Sequence, residues 1–225
     1  MRVIAASDSS LLIVFGNAIS PGLHARVIGM FHALRARQDA RIRNLHPGYA
    51  SLLVDFDPLQ MGHAELAAIV EQSASTVHTQ DQPKRDVITI PVCYGGEFGP
   101  DLMALANHAQ ISPDEVIRLH TSATYLVYFL GFSPGFAYMG GLPAKLHMPR
   151  LATPRAHVVA GTVGIAGSQT GVYPVDSAGG WRLIGRTPWR MFDPDSDPPT
   201  RLQPGDTVRF SAIDRATFNA MVEWH

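Results

Sequence analysis

Residues 129–143, FLGFSPGFAYMGGLP, hold a serine in a pattern that can carry catalysis. Within them, residues 131–135 fit G-x-S-x-G, the spelling of a nucleophile elbow, in which a serine stands on a tight turn between a strand and a helix. The apolar run Tyr125–Leu130 supplies the strand, but three glycines and Pro143 follow the turn within ten residues. Each glycine costs a helix about 1 kcal/mol and proline about 3 kcal/mol. We therefore expect that Ser133 is not a nucleophile.

The same residues alternate aromatic side chains with glycines and prolines. Glycine allows close backbone approach and proline stiffens the chain, so this composition suits a preformed loop whose aromatic walls line a pocket. The alternative is a corner of a β-barrel in which the rings fill the core, and spacing alone favours the corner. The candidate binding residues of this loop are Phe132, Pro134, Phe136 and Tyr138.

The ten histidines raise the question of a metal site. No two have the His-x-x-x-His spacing of a helical zinc site, and Cys93 is the single cysteine, so no metal site is predicted. His120 differs from the others because it ends a helix that Ser112 caps, just before the strand Tyr125–Leu130. There it could act as an acid, a base or a hydrogen-bond donor. The alternative is a histidine that complements the negative end of the helix dipole.

Residues 160–171, AGTVGIAGSQTG, carry glycines three or four positions apart. Their backbone N–H groups could cradle a phosphate or carboxylate, but the spacing alone favours simple β-turns. No Gly-Lys-Ser/Thr follows, and Pro154 and Pro174 leave no room for a βαβ unit, so neither a P-loop nor a Rossmann turn is predicted.

Single arginines stand out in this apolar, glycine-rich half. An arginine fork matches carboxylate or phosphate, although surface ion pairs with nearby aspartates are the alternative. The candidate binding residues of this half are Arg155, Gly161, Gly164, Gln169, Tyr173, Trp181 and Arg186.

The composition indicates the class of protein in which these residues must be positioned. The chain has 225 residues, 46% of them hydrophobic and 16% charged, with a formal net charge of −1. These values are typical of a globular protein, and without a Lys/Arg cluster they favour neither nucleic acid nor a membrane surface as a partner. The lone Cys93 excludes an internal disulfide, and the N-terminus is too interrupted for a signal peptide or a membrane span. We expect a cytoplasmic protein.

The first part alternates strands and helices. Residues 11–15 and 51–56 are strand-like, and a helix begins at Ser20-Pro21, with serine as N-cap and proline in the first turn. Residues 65–77 supply a second helix. This order predicts a small α+β domain over residues 1–82, which ends in a polar linker at residues 79–86.

The second part, residues 83–225, is expected to be mainly β. Residues 87–94 alternate like a strand, and Ser112-Pro113-Asp114-Glu115 is a capping box that starts a helix. From residue 125 onward, short apolar runs are separated by Gly and Pro, a rhythm typical of a barrel or sandwich. A strand at 207–210 and a last helix at 213–221 complete the prediction.

Two long motifs identify a resemblance. FLGFSPGFAYMGGLP and residues 153–188, TPRAHVVAGTVGIAGSQTGVYPVDSAGGWRLIGRTP, closely resemble the KipI family, also called allophanate hydrolase subunit 1 or the 5-oxoprolinase B subunit. Ile19-Ser20-Pro21 and the strand at Ser51 before Asp57-Pro58 also lie where the family has them. The resemblance covers essentially the whole chain, and it implies a cyclophilin-like barrel for the second domain.

The resemblance implies one component of an ATP-dependent 5-oxoprolinase, which opens 5-oxoproline to glutamate. It implies ATP with magnesium as cofactors, partnership with a KipA-like C subunit, partnership with an A subunit, and little activity of the chain alone. Two other roles in the family remain alternatives: a module related to urea carboxylase or allophanate hydrolase, and an inhibitor that binds a sporulation histidine kinase. The resemblance assigns no catalytic role to an individual residue, so His120 as a proton-transfer group is an expectation.

Overall fold

A computed structural model describes residues 1–76 and 86–222, which form two compact units, Met1–Lys84 and Arg85–His225. The expected linker at residues 79–86 and the expected domain boundary between residues 82 and 83 lie outside the described residues, apart from Asp86. None of the helices in the described ranges is long and apolar enough to cross a membrane.

The described residues of the first unit form six elements. They are β1 (Arg2–Ser7), β2 (Ser10–Val14), α1 (Pro21–Ala36), β3 (Ile42–Pro47), β4 (Ser51–Phe56) and α2 (His63–Thr76). The four strands form an antiparallel sheet in the order β1-β2-β4-β3. Ser20 caps α1 by accepting a hydrogen bond from Leu23 N at 3.2 Å, because the first N–H groups of a helix lack partners within it.

The described residues of the second unit form nine strands and three α-helices. In chain order they are β5 (Ile88–Tyr94), α3 (Leu102–Ala109), α4 (Pro113–Ser122), β6 (Tyr125–Leu130), β7 (Ala137–Gly140), β8 (Arg155–Val158), β9 (Thr162–Ala166), β10 (Gln169–Val172), β11 (Ser177–Gly179), β12 (Arg182–Arg186), β13 (Thr207–Ala212) and α5 (Arg215–Met221). Ser112 caps α4 as predicted, and β6 has the predicted bounds.

Seven of these strands close into a barrel in the order β10-β7-β6-β13-β5-β12-β9. β13 and β5 run parallel, and the other neighbouring pairs of the barrel are antiparallel. Closure pairs each strand with two neighbours, which leaves no open edge to protect. The expected barrel or sandwich is therefore a barrel, and β8 and β11 pair separately as a two-stranded ribbon.

Candidate functional site

The elbow-like residues form the tip of the hairpin between β6 and β7. Phe136 N donates to Ser133 O at 3.1 Å, with Pro134 and Gly135 between them. Gly135 has a φ of 83°, and proline followed by glycine in a left-handed conformation is the pattern of a type II turn. Gly131 N then donates to Phe136 O at 3.0 Å, and the chain returns directly into β7. The residue after this tip belongs to a strand, so the tip lacks the helix that an elbow requires.

A second, tighter turn within this tip holds Phe132 in a rare conformation. Ser133 N donates to Gly131 O at 2.8 Å, and Phe132 between them has a φ of 68°. A turn of three residues with positive φ at its centre is strained for a side chain with a Cβ. The Phe132 ring is nevertheless 64% exposed. Backbone strain that presents an apolar ring to solvent is a feature expected of a functional position.

Ser133 turns its hydroxyl inward, where Oγ is buried and has no hydrogen-bond partner among the described residues. A buried hydroxyl without a partner destabilises a fold by about 1–3 kcal/mol. We therefore expect Ser133→Ala to raise the unfolding free energy slightly and, if the chain works in an enzyme as the resemblance implies, to leave turnover within a few-fold. Urea unfolding and steady-state kinetics of the variant test this, and a loss of about 10⁴-fold would restore a nucleophilic role.

The predicted aromatic residues separate into a buried cluster and an exposed margin. Phe136, Tyr173 and Trp181 are at most 4% exposed and meet edge to face, with the Phe136 ring 5.2 Å from each of the other two. Tyr138 is half-buried and lies 5.8 Å from Trp181. The Phe132 ring lies 6.4 Å from Tyr173 at the margin of this cluster. Of these rings, Phe132 is the one that a ligand or partner reaches directly.

The glycine-rich run is a β-hairpin that makes room for these rings. Gly164 of β9 pairs with Gly171 of β10, and a Cβ at Gly171 would lie 3.1 Å from Phe136 Cζ. A Cβ at Gly164 would lie 3.0 Å from the Cβ of Trp181. Gly161 N donates to Tyr173 O at 2.7 Å, so this amide is already paired. Gln169 begins β10 opposite Ala166. Gly164 and Gly171 therefore lie inside paired strands, where the absence of a Cβ leaves room for aromatic side chains.

Gly179 and Gly180 offer a matched test of this packing. A Cβ at Gly179 would lie 2.7 Å from Tyr173 Cζ, whereas one at Gly180 would lie no closer than 3.6 Å to any neighbour. We expect Gly179→Ala to lower the unfolding free energy by about 1–3 kcal/mol, the usual cost of overpacking. Gly180→Ala is the control and should have little effect. Chemical denaturation of both variants decides, and equal stabilities would contradict the packing role.

His120 lies inside the barrel unit rather than on its surface. It is 0% exposed and stacks on Phe210 with ring centroids 4.5 Å apart. Its Nδ1 lies 2.8 Å from Tyr94 Oη, and its Nε2 lies 3.1 Å from Thr170 Oγ1. Thr170 Oγ1 in turn donates to Gly164 O at 3.0 Å. Because Thr170 Oγ1 gives its hydrogen to Gly164 O, Nε2 donates to Thr170, and in the neutral ring Nδ1 then accepts from Tyr94 Oη.

Both ring nitrogens of His120 are thus occupied within the fold. Burial lowers the pKa of His120 from 6.5 to about 3, so the ring is uncharged at neutral pH. A substrate arriving from solvent does not reach a ring in this position, and the catalytic role of His120 stays a prediction.

The burial of His120 predicts a pH dependence of stability. Between pH 6.5 and about 3 the unfolded chain binds a proton at this histidine that the folded chain does not. The unfolding free energy should therefore fall as the pH falls through this window, by about 1.4 kcal/mol per pH unit for one group. Urea unfolding of His120→Gln should show a shallower slope, whereas the exposed control His108→Gln should keep the wild-type slope. Equal slopes in all three proteins would contradict the assignment.

Arg155 holds elements of the barrel unit together. Its guanidinium Nη2 donates to Asp101 Oδ1 at 2.8 Å, and Nη1 lies 3.4 Å from the Trp181 carbonyl oxygen. The second Asp101 oxygen accepts from Leu183 N at 2.7 Å. Asp101 is 8% exposed and stands at the start of α3. The pair therefore ties β8 to α3 and β12, which is a structural use of this arginine.

Arg186 lies in a different setting, next to the turn after β8. Its Nε donates to Ala160 O at 2.8 Å, and burial lowers its pKa. The amide of Ala160 donates to Asp176 Oδ1 at 2.8 Å, and His157 Nε2 lies 2.8 Å from Asp176 Oδ2. The Ala160 amide, then His157, and more weakly Arg186 lower the pKa of Asp176. We call His157, Ala160, Asp176 and Arg186 the ribbon-turn cluster.

The structure brings some of the sequence-predicted residues together and separates others. Tyr173 lies between Phe132 and the ribbon-turn cluster. Its ring is close to the Phe132 ring, and its carbonyl oxygen accepts from the amide of Gly161, which follows Ala160. His120 and Arg155 belong to separate hydrogen-bond networks, His120 with Tyr94 and Thr170 and Arg155 with Asp101 and the Trp181 carbonyl. The sequence analysis did not single out His157 or Asp101, which pair in the structure with Asp176 and Arg155 respectively. Their partners lie 19 and 54 positions away along the chain, and no local signal marks such pairs.

Two surface cavities are lined by residues outside the predicted site. One, of about 270 Å³ in the first unit, lies beside the C-terminal end of α1, and another, of about 440 Å³ in the second unit, is lined by residues between Arg190 and Gln203. Within residues 1–76 and 86–222, no group of three or more His, Cys, Asp or Glu side chains could hold a metal ion.

Comparison with known proteins reveals matches along most of the chain. The family described as "Carboxyltransferase domain, subdomain C and D" matches residues 1–202. The 5-oxoprolinase B subunit of Bacillus subtilis (strain 168) is 39% identical over 230 residues, covering 96% of this chain and 94% of the relative. The protein of the same name from Escherichia coli O157:H7 is 55% identical over 129 residues, which cover 57% of this chain and 59% of the relative.

Solved structures share the fold. The crystal structure of TTHA0988 superposes with a TM-score of 0.84 at 32% identity. The match covers 91% of this chain but spans only 40% of the TTHA0988 chain.

Proposed function

Because the chain belongs to the carboxyltransferase domain, subdomain C and D, family, we propose that it is the B subunit of an ATP-dependent 5-oxoprolinase. The observation that carries this proposal is the match to the Bacillus subtilis 5-oxoprolinase B subunit over 94% of that relative's length. The closed seven-strand barrel supports a cyclophilin-like fold for the second unit. The enzyme would work in the cytoplasm, where ATP is available.

The reaction is the opening of the five-membered lactam of 5-oxoproline to glutamate, driven by ATP hydrolysis. Hydrolysis of this lactam is unfavourable near neutral pH, so transfer of a phosphoryl group to the amide oxygen would activate the ring. Such a step needs positive charge and N–H donors directed at developing negative charge, and no serine nucleophile. Arg186 is the candidate donor to a carboxylate or phosphate, and Phe132 is the candidate apolar contact.

Partner proteins would complete the site. The described residues of this chain do not fit a magnesium site, because no cluster of acidic side chains is available. Magnesium would therefore be bound by the ATP phosphates or by a partner. The proposed partners are a KipA-like C subunit together with an A subunit. The naming of the relatives as B subunits supports an enzyme of several different chains.

Reconstitution tests the proposed function. The chain is purified alone and together with its candidate A and C subunits, and ADP release is measured with and without 5-oxoproline. We expect ADP release that depends on 5-oxoproline, with matching glutamate formation, in the complete assembly and little or none with the chain alone. Urea and allophanate serve as alternative substrates. Turnover of either of these in place of 5-oxoproline would overturn the proposed substrate, and robust turnover by the single chain would overturn the need for partners.

A further inference from the structure

Ring opening requires a group that moves a proton from water to the lactam nitrogen. His120 is buried with both nitrogens occupied, whereas His157 is on the surface, with 63% of its side chain exposed. Its Nε2 lies 2.8 Å from Asp176 Oδ2, and a carboxylate can only accept a hydrogen bond. The neutral ring therefore carries its proton on Nε2 and a lone pair on Nδ1, where it can take a proton.

Asp176 is itself fixed and stays ionised. Its other oxygen accepts from Ala160 N at 2.8 Å, and this amide, followed by His157, lowers the pKa of the Asp176 carboxyl group. A histidine oriented by a carboxylate whose second oxygen is held by a backbone amide is the arrangement that sets the tautomer of a general base.

Arg186 brings a positive charge to Ala160, the residue whose amide binds Asp176. Its Nε donates to the carbonyl of Ala160, and Asp176 binds the amide of that residue. The proton acceptor and a candidate anion-binding group are thus anchored at one turn. Local sequence carries no sign of this, because β8 and β11 must pair before residues 157 and 176 can meet.

We propose that His157, oriented by Asp176, is the proton-transfer residue of this site. The inference rests on the proposed 5-oxoprolinase function. As the oxygen of water bonds to the activated amide carbon, Nδ1 takes one proton from that water. When the carbon–nitrogen bond breaks, the imidazolium returns this proton to the departing lactam nitrogen, and the hydroxyl left on the carbon gives its proton to the new amine as it becomes the carbonyl of an acyl phosphate. The imidazole thus ends neutral, and a second water releases phosphate from this acyl phosphate.

The experiment uses the reconstituted assembly with His157→Gln or Asp176→Asn in this chain. General acid–base catalysis contributes about 10²–10⁴-fold, so His157→Gln should lower kcat by that factor, with KM changed only a few-fold. The acidic limb of the kcat profile against pH should also disappear. In Asp176→Asn the amide oxygen keeps the bond to Ala160 N, and its NH₂ group faces Nε2. The proton then moves to Nδ1, and kcat should fall although the turn is intact.

His46→Gln is the matched control, because His46 and Asp55 form an exposed pair of the same 2.8 Å length in the first unit. This variant should keep wild-type kcat and pH profile. An active wild type with unchanged kcat and acidic limb in His157→Gln would overturn the inference alone. No 5-oxoproline turnover by the wild-type assembly would overturn the proposed function, and the inference with it. Melting temperatures of the variants separate lost catalysis from lost folding.

Discussion

Replacing Arg186 with lysine is expected to raise the Michaelis constant for 5-oxoproline or ATP by about 10–150-fold, the effect of losing roughly 1.5–3 kcal/mol from a hydrogen bond to a charged group. The guanidinium is held through Nε by Ala160 O, and its burial strengthens its attraction for an anion. Lysine keeps the charge but loses the Nε–H donor and the planar fork. Steady-state kinetics of the assembled enzyme, with each substrate varied in turn, measures the change.

Arg155→Lys is the contrasting variant. Arg155 is committed to Asp101 and the Trp181 carbonyl, so its replacement should lower the melting temperature and leave both Michaelis constants close to wild type. The sequence offers both arginines as equal candidates for the site, and the structure predicts opposite outcomes for them. Unchanged Michaelis constants in Arg186→Lys would remove this arginine from substrate and nucleotide binding.

Replacing Phe132 with glycine is expected to impair the assembled enzyme without destabilising the chain. Glycine adopts the φ of 68° at this position without steric cost, which offsets the entropy that it loses on folding. The ring is 64% exposed, so its removal sacrifices little burial within the chain. If a substrate or partner covers the ring, about 1.5–2 kcal/mol of burial is lost, or roughly a 10–30-fold weakening.

Titration calorimetry measures the affinity of the variant for the candidate KipA-like partner, and steady-state kinetics of the assembly measures its Michaelis constants. Together they show whether the lost binding energy belongs to the partner or to the substrate. Met103→Ala is the control, since Met103 is another exposed apolar side chain, 59% exposed, in the ordinary backbone of α3. A weaker affinity for the partner assigns Phe132 to an interface, and a raised Michaelis constant assigns it to the substrate. Wild-type affinity and kinetics in Phe132→Gly would leave the strained turn without a functional role.

Local signals in the sequence predicted much of the fold. The capping box at Ser112 predicts the start of α4, and the apolar run Tyr125–Leu130 predicts β6 with the observed bounds. The glycines and proline after Ser133 also exclude an elbow correctly, because helix propensity acts within a few residues of the chain. The long motifs carried the family resemblance, which the match to residues 1–202 confirms.

Tertiary structure alone decided the chemistry that each side chain can perform. His120 lies in the last turn of a capped helix, close to the predicted helix end, but the fold buries it between Tyr94 and Thr170 and removes it from solvent. His157 lies in an unremarkable stretch, yet ribbon pairing brings Asp176 within 2.8 Å of its ring. Burial and the identity of hydrogen-bond partners depend on residues distant along the chain. Local propensity and spacing cannot encode them, and these non-local contacts set protonation, exposure and orientation.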